Sequence, residues 1–124
     1  MGYILSIKRE SDITEAEWLK AVEACDTTKI DPDPILMRNP KTGQTLSMAG
    51  STTDVAVKFT SGGFLGMGVK VTWQKSFKFS DGQGLFRYTE NLEDLRNPVR
   101  ISAKNLAKFL GAKIVGESDE VYSW

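Results

Sequence analysis

Apolar and polar residues alternate at the start of the chain. In YILSIKR, residues 3–9, Tyr3, Leu5 and Ile7 hold the odd positions, with Ser6 and Lys8 between them. A period of two predicts a β-strand, and the additional apolar Ile4 places its start near the middle of a sheet. The period then changes. In SDITEAEWLKAVEACD, Trp18, Leu19, Val22 and Cys25 fall on one face of a helix. Thr14 and Glu17 have capping-box spacing, in which hydroxyl and carboxylate each satisfy a free backbone N–H of the first turn. Ile13 and Trp18 occupy the two positions of a hydrophobic staple. A helix over residues 15–25 follows from these signals.

DTTKIDPDP reads as a loop, because each proline pushes the residue before it out of the helical region. ILMRNPKTGQTLSM predicts a hairpin, with residues 39–43 turning between strands at 35–38 and 45–48. DVAVKFT sets Val55, Val57 and Phe59 against Asp54, Ala56 and Lys58, a strand with one buried face. In VKVTWQKSFKFS the odd positions hold Val69, Val71, Trp73, Phe77 and Phe79, which gives one long strand or two short ones ending at Asp81-Gly82. LFRYT is a further short strand. In SAKNLAKFLG, Ala103, Leu106, Ala107 and Leu110 form a helical stripe, with Gly111 placed for a left-handed C-cap. Ser102 is a candidate N-cap, and Asn97-Pro98 would start the helix a turn earlier. AKIVG then returns to strand. The pattern predicts an α+β fold in one domain, residues 1–124: a mixed, mostly antiparallel sheet of five to seven strands with two helices packed on it.

Composition narrows the chemistry. The chain has no histidine and one cysteine, Cys25. That removes His-based triads, the commonest general base and the usual zinc sites, and it leaves no internal disulfide. Cys25 itself, with no base beside it, reads as a small core residue. No catalytic residue, metal ligand or cofactor site is expected, and the chain reads as a non-enzyme. No apolar run reaches membrane-spanning length and no leader-like segment opens the chain, so a soluble cytoplasmic protein is expected. The opening MGYILS fits a loose acylation pattern, but the same residues are needed as a buried strand.

Sixteen basic and sixteen acidic residues cancel, which gives no electrostatic ground for nonspecific binding to nucleic acid. The charges are unevenly placed. Residues 61–116 carry nine basic and four acidic groups, and the last eight residues carry Glu117, Asp119 and Glu120.

Three stretches invite a chemical reading. GGFLGMG, residues 62–68, is followed by a strand rather than a helix, so it lacks the N–H groups of a phosphate loop and reads as a connection. DPDP, residues 31–34, brings Asp31 and Asp33 together, as a stiff turn or as a contact loop. Lys70, Lys75, Lys78 and Arg87 interleave with Trp73, Phe77, Phe79, Phe86 and Tyr88, a mixture that can stack bases and neutralise phosphates. Parity opposes that use: apart from Lys75, aromatic and basic residues of 69–79 alternate, which predicts opposite faces. The closing KIVGESDEVYSW predicts a strand–turn–strand with its acids at the turn.

The opening Met1-Gly2-Tyr3-Ile4-Leu5-Ser6-Ile7, the close from Leu110 to Tyr122 and the FKFSDGQ turn at 77–83 carry a resemblance. They resemble a group of small bacterial proteins of polymorphic-toxin loci, whose members open MGYxLxI and close LGAKVxGDDGExY. At Glu117-Ser118-Asp119-Glu120 that group has Asp-Asp-Gly-Glu, so the chain lacks the glycine of the tight turn. The resemblance implies an immunity protein: a cytosolic inhibitor that binds a cognate toxin, with a nuclease as one possible target. Expected partner-binding residues are Asp31, Asp33, Trp73, Glu117, Asp119, Glu120, Tyr122 and Trp124. The alternative is a small sheet-based module that binds nucleic acid or a small ligand around Trp73 and Lys75.

Overall fold

The structure, a computed structural model, describes residues 3–124 apart from 33–34, 39, 49–50 and 63–67. Asp33, Asn39 of the 39–43 turn and most of the glycine-rich stretch therefore lie outside the described residues. The elements run β1 (Ile4–Lys8), α1 (Glu15–Ala24), β2 (Thr28–Ile30), β3 (Ile35–Arg38), β4 (Thr45–Met48), β5 (Val55–Gly62) and β6 (Val69–Ser80). They continue with β7 (Gln83–Arg87), a 3-10 turn (Glu90–Glu93), α2 (Pro98–Leu110), β8 (Lys113–Val115) and β9 (Val121–Tyr122).

Seven strands form one sheet in the order β2-β5-β6-β7-β1-β8-β9, and β3 pairs with β4 as a separate hairpin. Every pairing is antiparallel. The fold is α+β, as the sequence pattern predicts. β1 lies between β7 and β8; Leu5 and Ile7 are buried, whereas Ile4 is 36% exposed on the other face.

Leu5, Ile7, Val55, Val57, Phe77, Phe86 and Ile114 turn to one face of the sheet, and α1 and α2 cover it with Trp18, Ala21, Val22, Ala103, Leu106 and Leu110. Trp18 stacks on Phe79 with centroids 5.5 Å apart, and its indole N–H donates to Thr53 O at 2.9 Å. The pyrrole N–H is thereby satisfied in an otherwise apolar site.

Local signals set most boundaries. Thr14 and Glu17 form both halves of the capping box at α1. Asp81 and Gly82, at φ 52° and 75°, make a two-residue turn in which Ser80 faces Gln83, a geometry that matches the twist of the strands it joins. Gly111 closes α2 at φ 62°.

Three expectations change. Thr28–Ile30, read as loop, pairs with β5 as an edge strand. α2 begins at Pro98, capped by the Asn97 side chain, which accepts from Val99 N and Arg100 N. Ser102 is inside the helix and fully buried, its hydroxyl 2.6 Å from Thr27 Oγ1. β6 is one strand, but it does not keep one face. Val55 faces Phe77 while Ala56 faces Lys75, so Ser76 is an extra residue and the strand bulges there.

Candidate interaction surface

The bulge decides what each half of β6 presents. A residue inserted in one strand shifts all later side chains to the opposite face. Beyond Ser76, Phe77 and Phe79 join the core. Before it, Val57 faces Gln74 and Lys58 faces Trp73, so Trp73 stands on the side away from the helices. Within residues 69–75 the expected alternation holds, with Lys70 on the face opposite Trp73 and Lys75 as the exception; the correction is that the bulge sets Trp73 on the face of Lys78 and not on that of Phe77 and Phe79.

Trp73 is 36% exposed, and Val71 beside it is 44% exposed. Lys29 Nζ lies 4.3 Å from the Trp73 ring centroid, a cation–π contact that holds the ring in one orientation. Lys29, Ala56 and Lys75 form one cross-strand row, and Lys58 with Trp73 forms the next. Lys75 Nζ is 3.4 Å from Asp54 Oδ2, with both side chains largely buried. Asp54 Oδ2 also accepts from Ser51 N at 3.1 Å. Where β7 stops pairing with β6, a notch of ≈ 410 Å³ opens, lined by polar residues such as Gln74, Arg87 and Asn97 and by the apolar Phe59, Leu92 and Val99.

Asp31 sits at the end of β2, half-buried, with its N–H donating to Asp54 O at 2.8 Å. It is near the Trp73 end of the sheet. The C-terminal candidates are elsewhere: β9 and β6 are four strand positions apart, about 19 Å at ordinary strand spacing. The expected contact residues that the structure describes thus do not form one patch.

At that other edge the acids reach inward. Tyr3 donates its hydroxyl proton to Glu120 Oε1 at 2.5 Å, and Ile4 N donates to Glu117 Oε2 at 2.9 Å. Lys8 Nζ is 3.4 Å from Asp119, whose side chain is 86% exposed. The turn is closed by Gly116 N donating to Glu120 O at 2.9 Å. Asp119 takes φ 63°, the left-handed conformation that glycine supplies at this position in the resembling group. A β-carbon on Gly116 would stand 1.5 Å from Glu120 Oε1, so Glu120 can reach Tyr3 only over a glycine. Trp124 packs on Phe86 and Tyr122, at centroid distances of 6.1 and 5.7 Å, with the Arg100 guanidinium 5.0 Å from its ring. Burial, with the Glu120 carboxylate nearby, pushes the Tyr122 phenol above its ordinary value. Tyr88 is raised first because its hydroxyl donates to Glu93.

Arg9, which the sequence did not single out, ties three pieces together. It donates to Leu110 O at 2.9 Å, to Ser11 O and Asp12 O, and to Glu17 Oε1 at 2.6 Å. The guanidinium bond, with the capping-box bonds from Thr14, lowers the Glu17 carboxyl to about 2.

Among the described residues no group of three His, Cys, Asp or Glu side chains could hold a metal ion, and no helix is long and apolar enough to cross a membrane. Buried Cys25 has its sulfur 3.3 Å from Thr27 Oγ1. No family model matches the chain, and no curated protein or solved structure matches it.

Proposed function

We propose that this protein is an immunity-type inhibitor that acts by contact rather than by catalysis, binding and neutralising a cognate toxin in the cytosol. The resemblance at the two ends of the chain is one support. The observation that carries the reading is Trp73: a large aromatic side chain presented on the helix-free face of a sheet and oriented by Lys29 at 4.3 Å. Exposed, pre-oriented tryptophans are the commonest anchors of protein interfaces, because their contact area is gained with little loss of rotamer freedom.

Co-expression with the product of the adjacent upstream reading frame, followed by isothermal titration, tests it. A one-to-one complex and restored growth support the reading, with Trp73→Ala weakening the complex by at least ~30-fold. Absence of both complex and rescue overturns it.

A second reading keeps one observation in its favour. The bulge puts Trp73 on the face that carries Lys29 and Lys58, as a sheet that binds single-stranded nucleic acid requires. Steeply salt-dependent oligonucleotide binding separates this reading from the first.

A further inference from the structure

We infer that the helix-free face of the sheet is the docking surface and that it receives an acidic patch of a protein partner. The inference rests on the immunity reading for the partner's identity and adds the surface and its charge.

Register assigns the face. Lys78 stands opposite Leu85, which stands opposite Ser6; Arg87 stands opposite Ile4, and Lys8 opposite Lys113. Each of these residues alternates with a core residue, so all point away from the helices. With Lys29, Lys58 and Lys75 from the β2–β5–β6 end, seven cations share this side, Lys75 of them largely buried against Asp54. Lys29, Lys78, Arg87 and Lys113 are exposed.

Carboxylates lie at the rim and are already engaged: Asp54 within 3.4 Å of Lys75, Asp119 within 3.4 Å of Lys8, and Glu117 and Glu120 on Ile4 N and the Tyr3 hydroxyl. Lys8 and Lys113 stand directly opposite on neighbouring strands; Asp119 offsets part of their repulsion, and an anionic partner would offset the rest. The chain as a whole is neutral, so the cationic side is a local feature and not a consequence of overall charge.

The company these cations keep favours a protein over a nucleic acid. Base stacking needs a free ring face, and Lys29 already lies over Trp73. The other exposed apolar residues on this side are aliphatic and spread along the sheet: Val71 on β6, Ile4 on β1 and Val121 on the β9 edge. Aliphatic side chains do not stack bases; set among charged residues, they add apolar contact area to a protein interface.

The test is titration of the adjacent-frame product against three forms of this chain: wild type, Lys58→Glu with Lys78→Glu, and Lys20→Glu with Lys104→Glu on the exposed sides of the helices. Thermal unfolding of each form confirms that it folds. The expected result is a loss of at least ~30-fold for the sheet-face pair, carried largely by slower association, and less than ~3-fold for the helix-face pair. Equal effects of the two pairs, with wild-type binding intact, overturn the docking face while leaving the immunity reading standing. No wild-type binding overturns both. Displacement of the product by a single-stranded oligonucleotide whose own binding needs Lys58 and Lys78 overturns the protein assignment in favour of nucleic acid.

Discussion

The Trp18 ring lies directly on the backbone of Gly84: a β-carbon there would stand 2.5 Å from Cζ3 and 2.6 Å from Cη2. Gly84 is in the middle of the sheet, facing Ile7 on β1 and Phe79 on β6. Glycine normally weakens a strand, so Ala at an open position would stabilise the protein. Here the sign reverses, because the indole must move away from both Phe79 and Thr53 O. Gly84→Ala is expected to lower stability by about 1–3 kcal/mol, read from the midpoint of a urea titration.

Glu17 provides a pH dependence with a definite direction. Its carboxyl is lowered from 4.5 to about 2 by the Arg9 guanidinium and the Thr14 bonds. A group depressed in the folded state stabilises above its unfolded value and loses that stabilisation as pH falls through the folded one. Stability is therefore expected to decline between about pH 4.5 and pH 2, with a shallower decline in Glu17→Gln. Denaturation curves at stepped pH, compared for the two proteins, measure the difference.

The start of α2 is tested by a pair of variants. Asn97 accepts two backbone N–H bonds, at 2.8 and 3.2 Å, so Asn97→Ala is expected to cost about 1 kcal/mol and to fray residues 98–101 in hydrogen exchange. Ser102→Ala leaves those amides protected and affects only the buried contact to Thr27.

Asp119 holds a left-handed conformation at φ 63°. Asp119→Ala should lose about 1 kcal/mol, since a β-carbon opposes that backbone and the short side chain of Asp tolerates it better. Asp119→Gly is expected to match or exceed wild type, because the exposed Lys8 ion pair it removes contributes little. Thermal melts of the three proteins rank them.

Much of this fold was legible because short-range signals and long-range burial agree. Thr14, Glu17 and Gly111 announce helix ends, and Asp81-Gly82 announces a hairpin, through chemistry confined to a few residues. The misreadings came where one residue carried the information. Ser76 lies within a stretch whose row of odd positions is apolar except at Lys75, and its insertion is visible only when β5 is laid beside β6. Lys75, the single cation in that row, was the trace it left in the sequence. Thr28–Ile30 is three residues long and gains strand structure from its partner rather than from its own composition. Arg9 escaped notice because its partners, Leu110 O and Glu17, come from separate elements that only the folded topology assembles. The tail acids were recognised as a group, but whether they face outward or reach back to Tyr3 depends on the room above Gly116.

The central place of β1 has a consequence for how the chain reaches its folded state. Its hydrogen-bonding partners belong to β7 and β8, and the side chains that flank it, Tyr3 and Arg9, reach 117 positions along the chain to Glu120 and 101 positions to Leu110. During synthesis β1 would thus stay apolar and unpaired until β7 has emerged, and its second edge until β8 has. Closing such long loops is slow, since their entropy is lost before the contacts reward it. The pairings that join the most distant parts of the chain therefore lie inside the sheet and not at its edge, and β1 is most exposed before β7 is there to pair with it.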